Sequence, residues 1–251
     1  MDYPKLEQLR KRLAELRGQV PAEAWESFDR GFDVEYAHNS TAIEGNTLTL
    51  IQTKAVLEDG ISVGGKSLRE IYEVVNHAAA FDFVKKCIAD SLPLDEKIVK
   101  DIHALLMDHI FQGGIYRNVE VRISGAGHKP PPPSEMYWQV KEFFAALPNK
   151  AELNAIELAA WTHAEFVRIH PFQDGNGRAS RMMMNYQLMS KGFLPVSIAK
   201  EDRLQYFEAL EAYAVQGNLT PFADIIADLE EQRLTEYLGI METPEQTQPK
   251  I

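Results

Sequence analysis

Cys87 is the only cysteine among 251 residues, so no intramolecular disulfide can form and no metal centre can be built from several thiolates. Long apolar runs are also missing, and none approaches the roughly 20 residues that a membrane-crossing helix needs. Basic charge is in deficit: 26 Lys and Arg face 37 Asp and Glu, a formal net charge of -11. The basic footprint of a nucleic-acid-binding protein is therefore absent, and neither nucleic acid nor membrane is expected as a partner. Met1-Asp2-Tyr3-Pro4-Lys5 lacks the basic-then-apolar layout of a secretory leader, which makes a cytoplasmic location the expectation. No internal repeat occurs, and no linker is long enough to separate two bodies. What is present is ordinary for a globular protein with a substantial core: 45% hydrophobic and 25% charged residues.

Apolar residues recur every three or four positions almost throughout, the helical period. Leu6, Leu9, Leu13 and Leu16 mark a first helix ending at Gly18, and Pro21 opens a second that carries Trp25, Phe28, Phe32 and Val34 towards Ser40. Thr49 is placed to cap a short helix stopping near Gly60. A long helix follows from about Ser67 to Ala89, with Ile71, Val74, Val75, Ala78 and Phe81 on one face, and Asp95 caps another running to about His109. The stretch from Val119 to Ser124 instead alternates like a strand, and Gly125-Ala126-Gly127 reads as the turn of a hairpin over residues 117–129. Val121 and Ile123 would face inward there, and Pro130 to Pro133 end any sheet. Helices resume near Ser134, Glu152, Arg178, Asp202 and Pro221, and the polar tail after Ile240 reads as disordered. The expected fold class is all-α, a helical bundle with a small β-hairpin flap. Three regions are expected: N-terminal helices over 1–48, a core domain over 49–240, and a tail over 241–251.

The run from His170 to Arg178, His-Pro-Phe-Gln-Asp-Gly-Asn-Gly-Arg, with Arg181 one turn later, concentrates chemistry. Pro171 disfavours helical geometry at His170, so the preceding helix, with His163 in its core-facing stripe, should end there. A glycine-bordered loop entering a helix is an anion site, because unpaired N–H groups and the positive end of the helix dipole point into it. Gly175 and Gly177 would let phosphate oxygens approach the backbone, Asn176 could donate from its amide, and Arg178 and Arg181 could fork onto terminal phosphates. Asp174 is the loop's only carboxylate, sufficient for a magnesium ion that completes its shell with phosphate oxygens and water. His170 is the natural proton acceptor. The implied chemistry is attack by a hydroxyl on a nucleotide phosphate, with the phosphorus attacked left open. Far upstream, Ser40 and Glu44 lie four residues apart, on one face if the helix continues, with Gly45 as a possible cap.

On these residues the chain resembles the Fic (filamentation-induced-by-cAMP) family: His170 to Arg178, extended to Arg181, matches its signature loop at every defining position, and the likeness runs from about Ser40 to Leu229. The resemblance implies an all-α protein adenylyltransferase that transfers AMP from ATP to a Ser, Thr or Tyr hydroxyl of a target protein, or of itself, releasing pyrophosphate. It implies His170 as the base, Asp174 as the Mg2+ ligand, Gly175, Asn176 and Gly177 as a phosphate cradle, and Arg178 and Arg181 as phosphate ligands. Phe172 would anchor the loop. Ser40-x-x-x-Glu44-Gly45 resembles the family's inhibitory motif in the subclass with an N-terminal inhibitory helix, implying that Glu44 pairs with Arg181 and that ATP then binds with its α-phosphate misplaced. By the same resemblance the flap docks the target, Val121, Arg122, Ile123 and Ser124 border the nucleotide, and Tyr206 and Phe207 line the adenine pocket. Ala214 stands where an asparagine is usual in animal-type members, which leaves base selectivity open. Also left open are homodimer formation, the target, removal of AMP or another nucleotidyl or phosphoryl transfer by the same site, and a non-catalytic nucleotide-sensing role.

Overall fold

The computed structural model describes residues 3–17, 19, 22–123 and 126–241. Ten α-helices account for most of them: α1 Pro4–Arg17, α2 Ala22–Ile43, α3 Leu50–Asp59, α4 Leu68–Ala89, α5 Glu96–Leu106, α6 Pro133–Ala146, α7 Ala155–Ile169, α8 Asn176–Ser190, α9 Arg203–Gln216 and α10 Thr220–Met241. The all-α expectation holds. Gly18, Pro21, Ser124, Gly125 and the tail beyond Met241, each the subject of an expectation above, lie outside the described residues.

Local chemistry sets several ends. Thr49 caps α3 by accepting from Gln52 N–H while the Gln52 side chain returns to the Thr49 backbone, and Ser67 with Glu70 does the same for α4. Asp95 accepts from Ile98 N–H at the start of α5, which stops at Leu106 rather than His109. Along α4 the buried side is Val74, His77, Ala80, Phe81 and Val84; Val75, one residue and about 100° away from Val74, is turned to solvent.

The architecture centres on α8, which is buried on nearly every side and feeds three apolar clusters. Met184 and Leu188 join Leu6, Ile156, Ala160, Phe222 and Leu234 from α1, α7 and α10. Ala179, Met182 and Tyr186 join Phe32, Phe81 and Ile102 from α2, α4 and α5, and Met183 joins Phe143, Phe166 and Phe172. Because other helices enclose α8, its polar side chains, Asn176, Arg178, Ser180, Arg181 and Asn185 among them, are held inside the protein. No helix among the described residues is long and apolar enough to cross a membrane.

The hairpin is not confirmed. Among the described residues, 117–129 contain no strand and run as an irregular excursion between α5 and α6. Side chains rather than a ladder hold it. Arg117 spends Nη1 and Nη2 on the carbonyls of Val119 and Pro131, while His128 donates through its backbone N–H to Glu211 and through Nε2 to the Arg168 carbonyl. Val121 and Ile123 are half-buried and Arg122 is exposed.

Glu230 of α10 is the least comfortable group in the core. It is fully buried, Oε1 accepts from Leu194 N–H at 2.8 Å, and Oε2 has no hydrogen-bond partner among the described residues. Burial raises its pKa to about 8, against the opposing pull of the Leu194 N–H and Arg233. The unfolded chain ionises this carboxyl near its ordinary value of 4.5, so the folded state is progressively disfavoured as pH rises from there to about 8. Glu230→Gln is therefore expected to raise Tm at pH 8 and to lose that advantage near pH 4.5, at about 1.4 kcal/mol per unit of separated pKa. Thermal melts at both pH values check this, and a gap independent of pH would refute it.

Candidate active site

The loop from His170 to Gly175 joins α7 to α8, and core side chains brace it from beneath. The Phe172 ring is fully buried and stacks on His103 with centroids 3.5 Å apart and planes 3° from parallel. His103 Nε2–H donates to the Asp174 carbonyl at 2.8 Å while its Nδ1 accepts from Gly114 N–H at 2.8 Å, so the ring is neutral and its tautomer is fixed. Burial depresses its pKa to about 4. Asn176 does not offer its amide outward. Its Oδ1 accepts from Phe172 N–H and its Nδ2 donates to the Phe172 carbonyl, both at 2.9 Å, so its contribution to an anion is limited to its backbone N–H. Gly175, at φ 78°, caps α8, whose first-turn N–H groups lack intrahelical acceptors.

His170 closes α7 at φ 53° and ψ 58°, a left-handed conformation that costs a non-glycine residue on the order of 1–2 kcal/mol. Its backbone N–H donates to Phe166 at 3.0 Å, and Nδ1 lies 3.3 Å from the Val167 carbonyl. Since a carbonyl only accepts, Nδ1 carries the proton and Nε2 presents a lone pair. Burial pushes the pKa of His170 down to about 4, with Val167 and Glu44 opposing and Arg117 and His128 adding to the shift. A neutral imidazole with a basic Nε2 is therefore present at physiological pH.

The two arginines of α8 are both buried but differ in what they hold. Arg181, 1% exposed, donates Nε to Ser40 Oγ at 2.9 Å, Nη2 to the Ser40 carbonyl at 2.7 Å and to Glu44 Oε1 at 2.9 Å, and Nη1 to Tyr206 Oη at 3.1 Å. Tyr206 Oη is also bonded to His163 Nε2 at 2.9 Å. The Glu44 carboxylate thus lies on the opening of α8, where a Cβ added to Gly177 would collide with it. An acidic side chain sits where helix dipole and guanidinium both attract an anion. Arg178, 2% exposed, has a 3.4 Å bond from Nη2 to Asp174, a weak contact to the Met107 sulfur and a 3.9 Å ion pair from Nη1 to Glu73, while Nε and Nη1 have no hydrogen-bond partner among the described residues. Buried donors left open are costly, and an anion would satisfy them.

Asp174 is half-exposed. Burial alone would raise its pKa, but Arg178, Arg69 and the Gly175 N–H outweigh this and hold the carboxyl below the usual range. Arg69 Nη2 reaches Asp174 Oδ2 at 2.5 Å and Nε reaches Glu73 Oε1 at 3.1 Å; Glu73 also accepts from Asn46 Nδ2 at 3.0 Å, beside the Glu44 turn. The site therefore brings together His170, Asp174, Gly175, Gly177, Arg178, Arg181, Ser40 and Glu44. Tyr206 is 1% exposed, with its hydroxyl committed to Arg181 and His163. Its helix neighbour Phe207 is the exposed ring, with Arg203 over it at 5.2 Å. The expectation that His163 is a core residue holds. His103, Arg117, Arg69 and Glu73 carried no sequence signal beyond membership of a helix or loop, because their partners lie up to 105 residues away.

The sequence model of the Fic/DOC family matches residues 93–188. "Protein adenylyltransferase Fic" of Drosophila grimshawi is 36% identical over 208 residues, 81% of this chain and 42% of that protein. Its namesake in Drosophila persimilis is 35% identical over 208 residues, 81% of this chain and 40% of that protein. The chain thus spans about two fifths of the length of the curated relatives it matches. Among solved structures, Fic-1 (aa134–508) from C. elegans superposes with a TM-score of 0.82 at 30% identity, covering 94% of this chain and 70% of that one. A Fic domain containing signaling protein from Bacteroides thetaiotaomicron gives 0.84 at 26% identity, covering 94% and 96%.

The bracing of the loop is testable without any activity. A Cβ at Gly175 would need a left-handed backbone and would stand 3.0 Å from Met107 Sδ and 3.1 Å from His103 Nε2. Gly175→Ala is expected to cost about 1–3 kcal/mol in urea denaturation. A change below about 0.5 kcal/mol would show that the loop is not held as described.

Proposed function

The chain belongs to the Fic/DOC family, and from that premise we propose that it is a protein adenylyltransferase restrained by its own Glu44. The observation that carries the reading is the contrast within α8: Arg178 has open donors, whereas Arg181 is occupied by Ser40 and Glu44. ATP would lie with its phosphates on the N-terminus of α8, Gly175 and Gly177 allowing close approach and Arg178 and Arg181 meeting the terminal phosphates. A target hydroxyl, presented along residues 121–123, loses its proton to His170 Nε2 as its oxygen attacks the α-phosphorus. The bond from that phosphorus to the bridging oxygen breaks, and pyrophosphate leaves.

Asp174 fits a hard divalent cation shared with phosphate oxygens: it is ionised, partly exposed and next to the open donors of Arg178. Among the described residues no cluster of three or more His, Cys, Asp or Glu side chains could hold a metal alone. Magnesium there, when bound, would neutralise phosphate charge. Arg69 now holds Asp174 Oδ2 and would have to yield it. Glu44 on Arg181 removes one phosphate ligand and sets a carboxylate against incoming negative charge. A cytoplasmic location and self-modification complete the proposal.

Glu44→Gly is expected to raise AMP incorporation about 10- to 100-fold, the rate equivalent of roughly 1.4–3 kcal/mol, a range typical of a hydrogen-bonded charged pair. His170→Ala should abolish it in either background. α-labelled ATP and intact mass report the product; label arriving only from the γ-position would indicate phosphorylation, and full incorporation by Glu44→Gly/His170→Ala would remove His170 as the base. Because burial holds the pKa of His170 near 4, the Glu44→Gly enzyme should keep its rate from pH 8 down to about pH 5 and lose it as pH falls towards 4. An acid limb near 6.5 would contradict this.

A further inference from the structure

Arg117 lies outside the signature loop, in the excursion between α5 and α6, and is 3% exposed. Its guanidinium makes no ion pair with any carboxylate among the described residues; each of its three nitrogens instead donates to a different main-chain carbonyl. Nε reaches His170 at 2.8 Å, Nη1 reaches Val119 at 2.8 Å and Nη2 reaches Pro131 at 2.5 Å. Its backbone N–H donates to the Pro171 carbonyl at 2.9 Å. We propose that Arg117 is a positioning residue of the transfer reaction, one guanidinium that bolts both ends of the 117–131 excursion to the backbone of His170 and so fixes where the imidazole stands. This rests on the reading of His170 as the base.

Three features of the geometry carry the assignment. His170 closes α7, where a helix leaves carbonyls without donors, and Pro171 brings no N–H that could turn back to them. Arg117 supplies that donor, and its charge is met by the negative end of the α7 dipole in place of a carboxylate. Second, His170 holds a left-handed backbone without being glycine, and such a conformation persists only where its surroundings over-determine it. The restraints are its own N–H on Phe166, its Nδ1 on Val167 and Arg117 on its carbonyl, and only the last comes from outside α7. Third, the residues that would present a target, Val121 to Ile123, lie between the two carbonyls that Arg117 holds, so presenter and base share one anchor. The charged or titratable groups that bear on His170 are Arg117, Glu44 just beyond α2 and His128 from the returning arm of the excursion.

The test compares Arg117→Met and Arg117→Lys, each in the Glu44→Gly background, with three readouts: ATP affinity by calorimetry, kcat and KM for AMP incorporation, and the titration of the His170 ring by NMR. Arg117→Met is expected to lower kcat about 100-fold, the scale of a misplacement of order 1 Å, while ATP affinity and KM for ATP change less than about threefold. His170 should titrate at higher pH, because a cation that disfavoured its protonated form has gone. Arg117→Lys keeps the charge but cannot reach three carbonyls, so it should hold the low titration and still lose most of kcat. Wild-type kcat in folded Arg117→Met, or in Arg117→Lys, overturns the proposal, as does an unmoved His170 titration in Arg117→Met. Loss of fold in both variants also overturns it, leaving Arg117 a stabilising role alone. Should Glu44→Gly with intact Arg117 fail to incorporate α-label, the adenylyltransferase reading falls, and the NMR comparison still decides whether Arg117 sets the state of the ring.

Discussion

A guanidinium that is 1% exposed is costly unless its nitrogens are hydrogen-bonded, and the site meets that demand for Arg181 at all three. The answer comes from two other helices: Ser40 and Glu44 on and just beyond α2, and Tyr206 on α9, itself backed by His163. The docking of α2 and the burial of α8 are consequently one event. The same contact delivers a carboxylate to the end of α8 that favours anions. Any phosphate that takes Arg181 has to replace an oxygen already there. On the proposed reading, restraint and phosphate binding would compete for this one set of donors.

Rigidity around that competition comes from the core. Phe172 stacked on His103, Asn176 closing on the Phe172 backbone, and Arg117 on the carbonyl of His170 leave the loop little freedom. Arg178, one turn before Arg181, keeps unpaired donors because no acceptor from α2 reaches it. Two arginines of the same helix therefore differ: every guanidinium nitrogen of Arg181 is hydrogen-bonded, whereas Nε and Nη1 of Arg178 have no hydrogen-bond partner among the described residues. Around Asp174 the charges alternate, with Arg69, Glu73 and Arg178 as neighbours, so the carboxylate stays ionised without standing unpaired.

Much of this was legible from local pattern. The periodicity located the helices to within a few residues, and the caps Thr49 and Asp95 act where their side chains suggested. The loop's composition announced an anion site because glycines, a carboxylate, an imidazole and two arginines are adjacent in the chain. Alternation over residues 119–123 is not accompanied by a strand among the described residues: no partner ladder is present, and Arg117, with the contacts of His128 to Arg168 and Glu211, anchors the excursion instead. Which of the adjacent aromatics Tyr206 and Phe207 faces inward was not legible, because helix position decides it only once the neighbours are known.

The sequence by itself determined the helical class, the loop and the kinds of group that meet there, because propensity, capping and short-range spacing are properties of neighbouring residues. The Glu44–Arg181 contact is implied by the resemblance of the Ser40–Gly45 motif; only the tertiary structure decided that Asn176 braces the loop, that Arg69 holds Asp174, and that Arg117 holds the backbone of His170. Those assignments depend on which donors are buried and which acceptors come within 3 Å of them. Packing fixes both, and no local pattern encodes either.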